Sequence, residues 1–111
     1  MADLKPQPRR RDPDLLRLLH LSQAKECCLC EANYNLELHH VYPRGQGGDD
    51  LRANLVWLCR EEHWHVTRND AATLQRLGAH ISRQRPDTIA YLNSKLGDGA
   101  ADWMRRRLHM E

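Results

Sequence analysis

The spacing of apolar positions changes several times along this chain. Leu15, Leu16, Leu18, Leu19 and Leu21 predict a short buried helix, opened by Asp12-Pro13 and ending near Lys25. Leu36-Glu37-Leu38-His39-His40-Val41 alternates in part and predicts a strand, which Pro43 stops. The stretch 44–50, Arg-Gly-Gln-Gly-Gly-Asp-Asp, is loop by composition. Leu55-Val56-Trp57-Leu58 is a second short strand. A hairpin closed by roughly a dozen residues is long, and connections of that length are usually functional or disordered. From Cys59 the pattern turns helical. Asn69-Asp70 caps a further helix carrying Leu74 and Leu77, with Gly78 as its stop. Arg85-Pro86-Asp87 opens another, with Ile89, Tyr91, Leu92 and Leu96 ahead of Gly97. A last helix spans about Ala100 to Leu108, with Trp103, Met104 and Leu108 on one side. The elements predict a small α+β fold, a hairpin with helices before and after it.

Composition bounds what such a fold can be. At 111 residues the chain is one domain on length alone, with 41% apolar and 29% charged residues, a soluble globular balance. It has no Phe, and a core so short of large rings is often helped by a structural metal or a partner. The net charge of +2 is too small to argue for nucleic acid by itself. Its distribution says more. Lys5, Arg9, Arg10 and Arg11 against Asp3 make residues 1–11 a flexible basic arm, and Arg105-Arg106-Arg107 is a second cluster. Both can grip phosphates; both also suit a solvated tail or helix face. No apolar run is long enough to span a membrane, and the N-terminal region has no hydrophobic stretch of a secretory signal.

The cysteines and histidines carry the chemistry. Cys27, Cys30, His39, His40, Cys59, His63 and His65 all fall within residues 27–65. Cys27-x-x-Cys30 lets two thiolates close on one tetrahedral ion, and Cys59 supplies a third from a helix start. Three cysteines within residues 27–30 suit a metal better than disulfides, which fits a reducing cytoplasm. A paired C-x-x-C would put the fourth ligand at Glu62; His63 is the alternative. The alternative is that these cysteines are small buried apolar residues with no metal. His39 and His40 point to opposite faces of a strand and so do not readily share one metal; if the strand end twists they share one site, one ligating an ion while the other stands nearby as a base. His63, from a helix packed on the hairpin, could complete the metal site. His20, His80 and His109 read as structural or surface residues, and Trp57 and Trp64 as core. The Gly-rich loop has no strand–GxxxxGK–helix context, which excludes an NTPase phosphate cradle.

In order, Leu38-His39-His40-Val41-x-Pro43-Arg44-x-x-Gly47-Gly48-Asp49, Asn54-Leu55-Val56-x-Leu58-Cys59 and His63 resemble the HNH endonuclease family, and more narrowly its small phage and prophage members. The resemblance covers residues 27–65; the 89–108 tail is similar to extensions in that phage group. It implies a ββα-metal fold with core at about 27–68 and a helical extension at about 70–108, within a single domain spanning 12–111. It implies that His39 and His63 hold one catalytic divalent ion (Mg, Mn, Ni or Zn). It makes His40 the general base and Asn54 the residue that pins the long loop. Cys27, Cys30 and Cys59 match the family's structural zinc site. Two positions depart from the pattern: Glu62 stands where a Cys is expected, and Thr67 where a second helix His is expected, with His65 as a possible substitute. The implied activity is hydrolysis of DNA phosphodiester bonds, in phage DNA processing, with terminase or other packaging proteins as implied partners. Arg44 stands at the loop entrance, as a phosphate clamp or as a structural ion pair. The alternative reading is a non-catalytic zinc-knuckle module that binds DNA or protein.

Overall fold

The computed structural model describes residues 10–110. The arm expected over 1–9, Arg9 included, lies outside the described residues. Helix α1 (Pro13–Leu21) starts as expected: the Asp12 carboxylate accepts from the Leu15 N–H at 3.0 Å, and Pro13 fills the first turn. It ends four residues short of Lys25 and is not buried. Leu15, Leu16 and Leu19 are half-buried on one side of the helix, but Leu18 and Leu21 widen the apolar arc beyond that side and face solvent.

Strands β1 (Leu36–His40) and β2 (Leu55–Cys59) pair antiparallel, with Leu38 opposite Trp57 and His39 opposite Val56. Side chains alternate between faces. Glu37 and His39 therefore share a face with Val56 and Leu58, whereas Leu38 and His40 share the other with Leu55 and Trp57. The chain passes directly from β2 into α2 (Arg60–Thr67), which packs on both strands. The Cys59 sulfur accepts the Glu62 N–H at 3.4 Å and so caps α2.

Three helices follow. Helix α3 (Ala71–Gln84) begins where Asp70 accepts from the backbone and hydroxyl of Thr73, at 2.9 and 2.6 Å. It does not stop at Gly78. That glycine is buried inside the helix because a Cβ there would overlap the carbonyl oxygen of Leu108. The end of α5 (Ala100–Leu108) crosses at this point, so Gly78 serves a close approach and not a turn. Helix α4 (Pro86–Leu96) opens on Pro86, as expected, and ends at Gly97. Its Thr88 hydroxyl donates to the Ala53 carbonyl at 2.6 Å, and Arg85 donates to the carbonyls of Leu55 and Arg52 at 2.9 and 2.7 Å. The later helices are thereby tied to the hairpin. Val56, Leu58, Val66, Leu77, Ile81, Leu92, Met104 and Leu108 form one continuous core, built from branched aliphatics where phenylalanines are lacking. The result is a small α+β fold around a two-stranded antiparallel sheet. Among the described residues no helix is long and apolar enough to cross a membrane.

Candidate functional site

The face of β1 turned to α2 brings two imidazoles together. The rings of His39 and His63 meet edge-on with centroids 5.2 Å apart. His63 Nδ1 lies 2.8 Å from Glu37 Oε1, two positions before His39 on the same face. A carboxylate on one ring nitrogen fixes a histidine's orientation and leaves the other nitrogen for a ligand, the usual arrangement around metal-binding imidazoles. Burial first, then the neighbouring His63 and His40, push the pKa of His39 down to about 3. His39 is therefore neutral at any physiological pH, with a lone pair to offer. These residues fit a divalent ion by their donor chemistry. A cavity of about 310 Å³ opens beside His39, bordered by Gln46, Thr67, Asn69, Trp103 and Arg107.

The other face holds His40. Its Nε2 is 2.8 Å from Oδ1 of Asp50, and both side chains are largely buried. If Nε2 carries the proton given to this carboxylate, the lone pair lies on Nδ1. Burial works against the charge of Asp50, but the Asp12 N–H, His40 and Arg44 outweigh it and hold the carboxyl below its ordinary range. Asp50 thus stays ionised, where it can orient an imidazole and stabilise its protonated form.

The loop between the strands is fastened at several points. Asn54, fully buried, accepts the Tyr42 N–H at 2.7 Å and donates to the carbonyls of Tyr42 and Asp49 at 3.1 and 3.0 Å. Its side chain ties the two ends of the loop across the hairpin. Gly47 adopts φ 102°, and a Cβ on Gly48 would overlap the Tyr42 carbonyl, so the glycine pair permits a turn that other residues would block. Asp49 accepts from the Tyr91 hydroxyl at 2.6 Å and pairs with Lys95 at 3.0 Å. Residues 10–12 dock on the same loop. The Arg10 N–H donates to Asp49, Asp50 N–H to the Arg10 carbonyl at 2.8 Å, and Asp12 N–H to Asp50 Oδ2 at 2.9 Å. The flexible arm expected through residue 11 is therefore already held at Arg10. Glu37 and Asp50 were both missed from the sequence. The pairing of Glu37 requires the register of α2 on β1, and that of Asp50 requires the folded loop; only their positions near the histidines hinted at either.

The Cys27, Cys30 and Cys59 sulfurs all lie within 4.8 Å of one another, a group that could hold a metal such as zinc. Burial opposes ionisation of Cys27, but the backbone amides of Cys59, Leu29 and Cys30 outweigh it and lower its pKa. Burial pushes Cys28 up to about 12, so it remains a thiol. Neither expected fourth ligand joins the group. Glu62 points to Arg76, whose guanidinium lies 2.8 Å from Oε2, close enough for an ion pair though not aligned as a hydrogen bond. His63 is turned to Glu37. His65 does not join His39 either, because two residues along a helix rotate it to another face, where it packs on Trp64 with centroids 5.2 Å apart. Trp64, read as core, is 53% exposed and is covered by the Arg68 guanidinium 4.3 Å away.

The arginine cluster divides. Arg105 and Arg106 both pair with Asp102 one turn back, whereas Arg107 borders the His39 cavity. Arg44 is exposed at the loop entrance, and Arg11 is exposed beside α1. The chain was compared with family models, with curated proteins and with solved structures, and none matches it.

Proposed function

We propose that the chain is a metal-dependent endonuclease of the HNH type that hydrolyses DNA phosphodiester bonds. The observation that carries the reading is the division of β1. On one face His39, at the edge of a cavity, packs on the Glu37-bound His63, and on the other His40 stands on the buried carboxylate of Asp50. His39 and His63 would hold the divalent ion, which supplies charge stabilisation to the phosphate and the leaving oxygen. His40 is the last residue of β1, where a twist of the strand end would turn it toward the same phosphate; there its Nδ1 would accept a proton from the attacking water, with Asp50 holding Nε2. Asn54 holds the loop that carries Asp50, so its part is positional. Arg107, which borders the same cavity as His39, would contact the phosphate, and the surface residues Arg11 and Arg44 would meet flanking phosphates.

A phage DNA-processing setting, with packaging proteins as partners, follows from the sequence resemblance alone. The thiolate group favours one second reading, a zinc-knuckle module that binds DNA without cutting it. Plasmid nicking by the wild type and by His40→Ala, across Mg²⁺, Mn²⁺, Ni²⁺ and Zn²⁺, separates the two. Divalent-dependent cleavage lost in the variant, with DNA binding retained, supports the nuclease. A wild type inert with every ion rejects it.

A further inference from the structure

The group of Cys27, Cys30 and Cys59 offers three sulfur donors, and no fourth His, Cys, Asp or Glu joins it among the described residues. Structural zinc sites are ordinarily closed by four chain ligands, and an open position belongs to sites that exchange ligands. The donors expected at the fourth position are turned elsewhere, Glu62 to Arg76 and His63 to Glu37, and His65 packs on Trp64. Cys28 stands outside the group. The three sulfurs are unequally covered, with Cys27 fully buried and Cys30 exposed. A cavity of about 500 Å³ lies against the exposed side, lined by Cys30, Cys59, Tyr34, Asn35, Trp64 and Glu61, whose carboxylate is not part of the three-sulfur group. Tyr34 and Trp64 leave 68% and 53% of their surface to solvent, so the approach to the sulfurs has apolar walls.

We infer that Cys27, Cys30 and Cys59 hold a metal ion whose fourth position is open to this cavity and is taken by a nitrogen or sulfur donor from outside the chain. The inference rests on reading the three cysteines as metal ligands. An ion already on three thiolates favours imidazole or thiol over a carboxylate, in keeping with its softness. The apolar walls suit the ring of the first or the carbon chain of the second. Water holds the position when neither is present.

The test uses the full chain loaded with Co²⁺ in thiol-free buffer, with imidazole and then 2-mercaptoethanol as the added donors. A His63→Ala version run in parallel removes absorption from the histidine centre. The expected result is a thiolate-to-cobalt charge-transfer band and a saturable shift of the d–d bands with each donor. The same shift is expected in Glu62→Gln. Bands that neither donor moves would overturn the open position, as would a starting spectrum altered by Glu62→Gln, which would make Glu62 the closing ligand. Failure of the metal reading itself looks different: no charge-transfer band forms, or the band survives Cys30→Ser combined with Cys59→Ser.

Discussion

His39 and His40 occupy consecutive positions on β1 and face opposite sides of the hairpin. His39 is enclosed with a second imidazole and is held neutral, its pKa down at about 3. His40 is bound to an ionised, buried carboxylate. A neutral imidazole offers a lone pair to an ion, and an imidazole held by a carboxylate on one nitrogen has the direction of the other fixed. The period of two in a strand therefore gives one dipeptide two chemistries. The comparison also accounts for the carboxylates, because each face supplies a different one: Glu37 from the strand itself and Asp50 from the loop.

The largest effect expected is from His40→Ala, which should lower kcat for plasmid cleavage by about 10²- to 10⁴-fold, the usual contribution of a positioned base. Its circular dichroism and metal content should match the wild type; a variant that loses both with the activity would place His40 among the structural groups. Asp50→Asn should cost about 10- to 100-fold in rate, the value of a hydrogen bond to a charged group. Single-turnover rates at saturating DNA would check it. Glu37→Gln should act on the other face, weakening the divalent requirement by about 10- to 100-fold in metal affinity while sparing the rate at saturating metal.

Arg107→Ala should raise KM and reduce the dependence of binding on salt by about one phosphate contact. Arg105→Ala, whose side chain is already paired with Asp102, should do less. Comparing the two salt slopes decides whether the cavity or the whole helix face meets DNA.

The smallest effect concerns pH. His39 titrates near 3 when folded and near its ordinary 6.5 when unfolded. Unfolding therefore takes up a proton between those values. The stability is complete above about pH 6.5 and is lost as pH falls toward 3, by at most about 1.4 kcal/mol per pH unit. Urea midpoints should fall between about pH 6.5 and 4.5 in the wild type and change less in His39→Gln. An equal slope in both would place the uptake elsewhere.

Local signals in the sequence reached the hairpin, α2, the Asp12 and Asp70 caps and the Pro86 start, because each depends on neighbours a few residues apart. The juxtaposition of His39 with His63 was legible for the same reason, once α2 followed β2 without a loop. Gly78 misled because its partner is the Leu108 carbonyl, 30 positions away in the chain, which no local pattern records. The surface position of α1 was missed because five leucines look like a buried helix until their angular spread is counted. That neither Glu62 nor His63 joins the three cysteines could not be read either. Glu62 has a donor's chemistry at a donor's spacing, and only the folded chain places Arg76 beside it.

Mn²⁺ titration followed by electron paramagnetic resonance, on wild type, His39→Ala and His40→Ala, tests the division of β1 most directly, since this hard ion is poorly suited to the thiolate group. The account predicts that His39→Ala weakens binding by about tenfold or more, while His40→Ala binds within about twofold of the wild type. Equal loss in both variants, or none in His39→Ala, would contradict it.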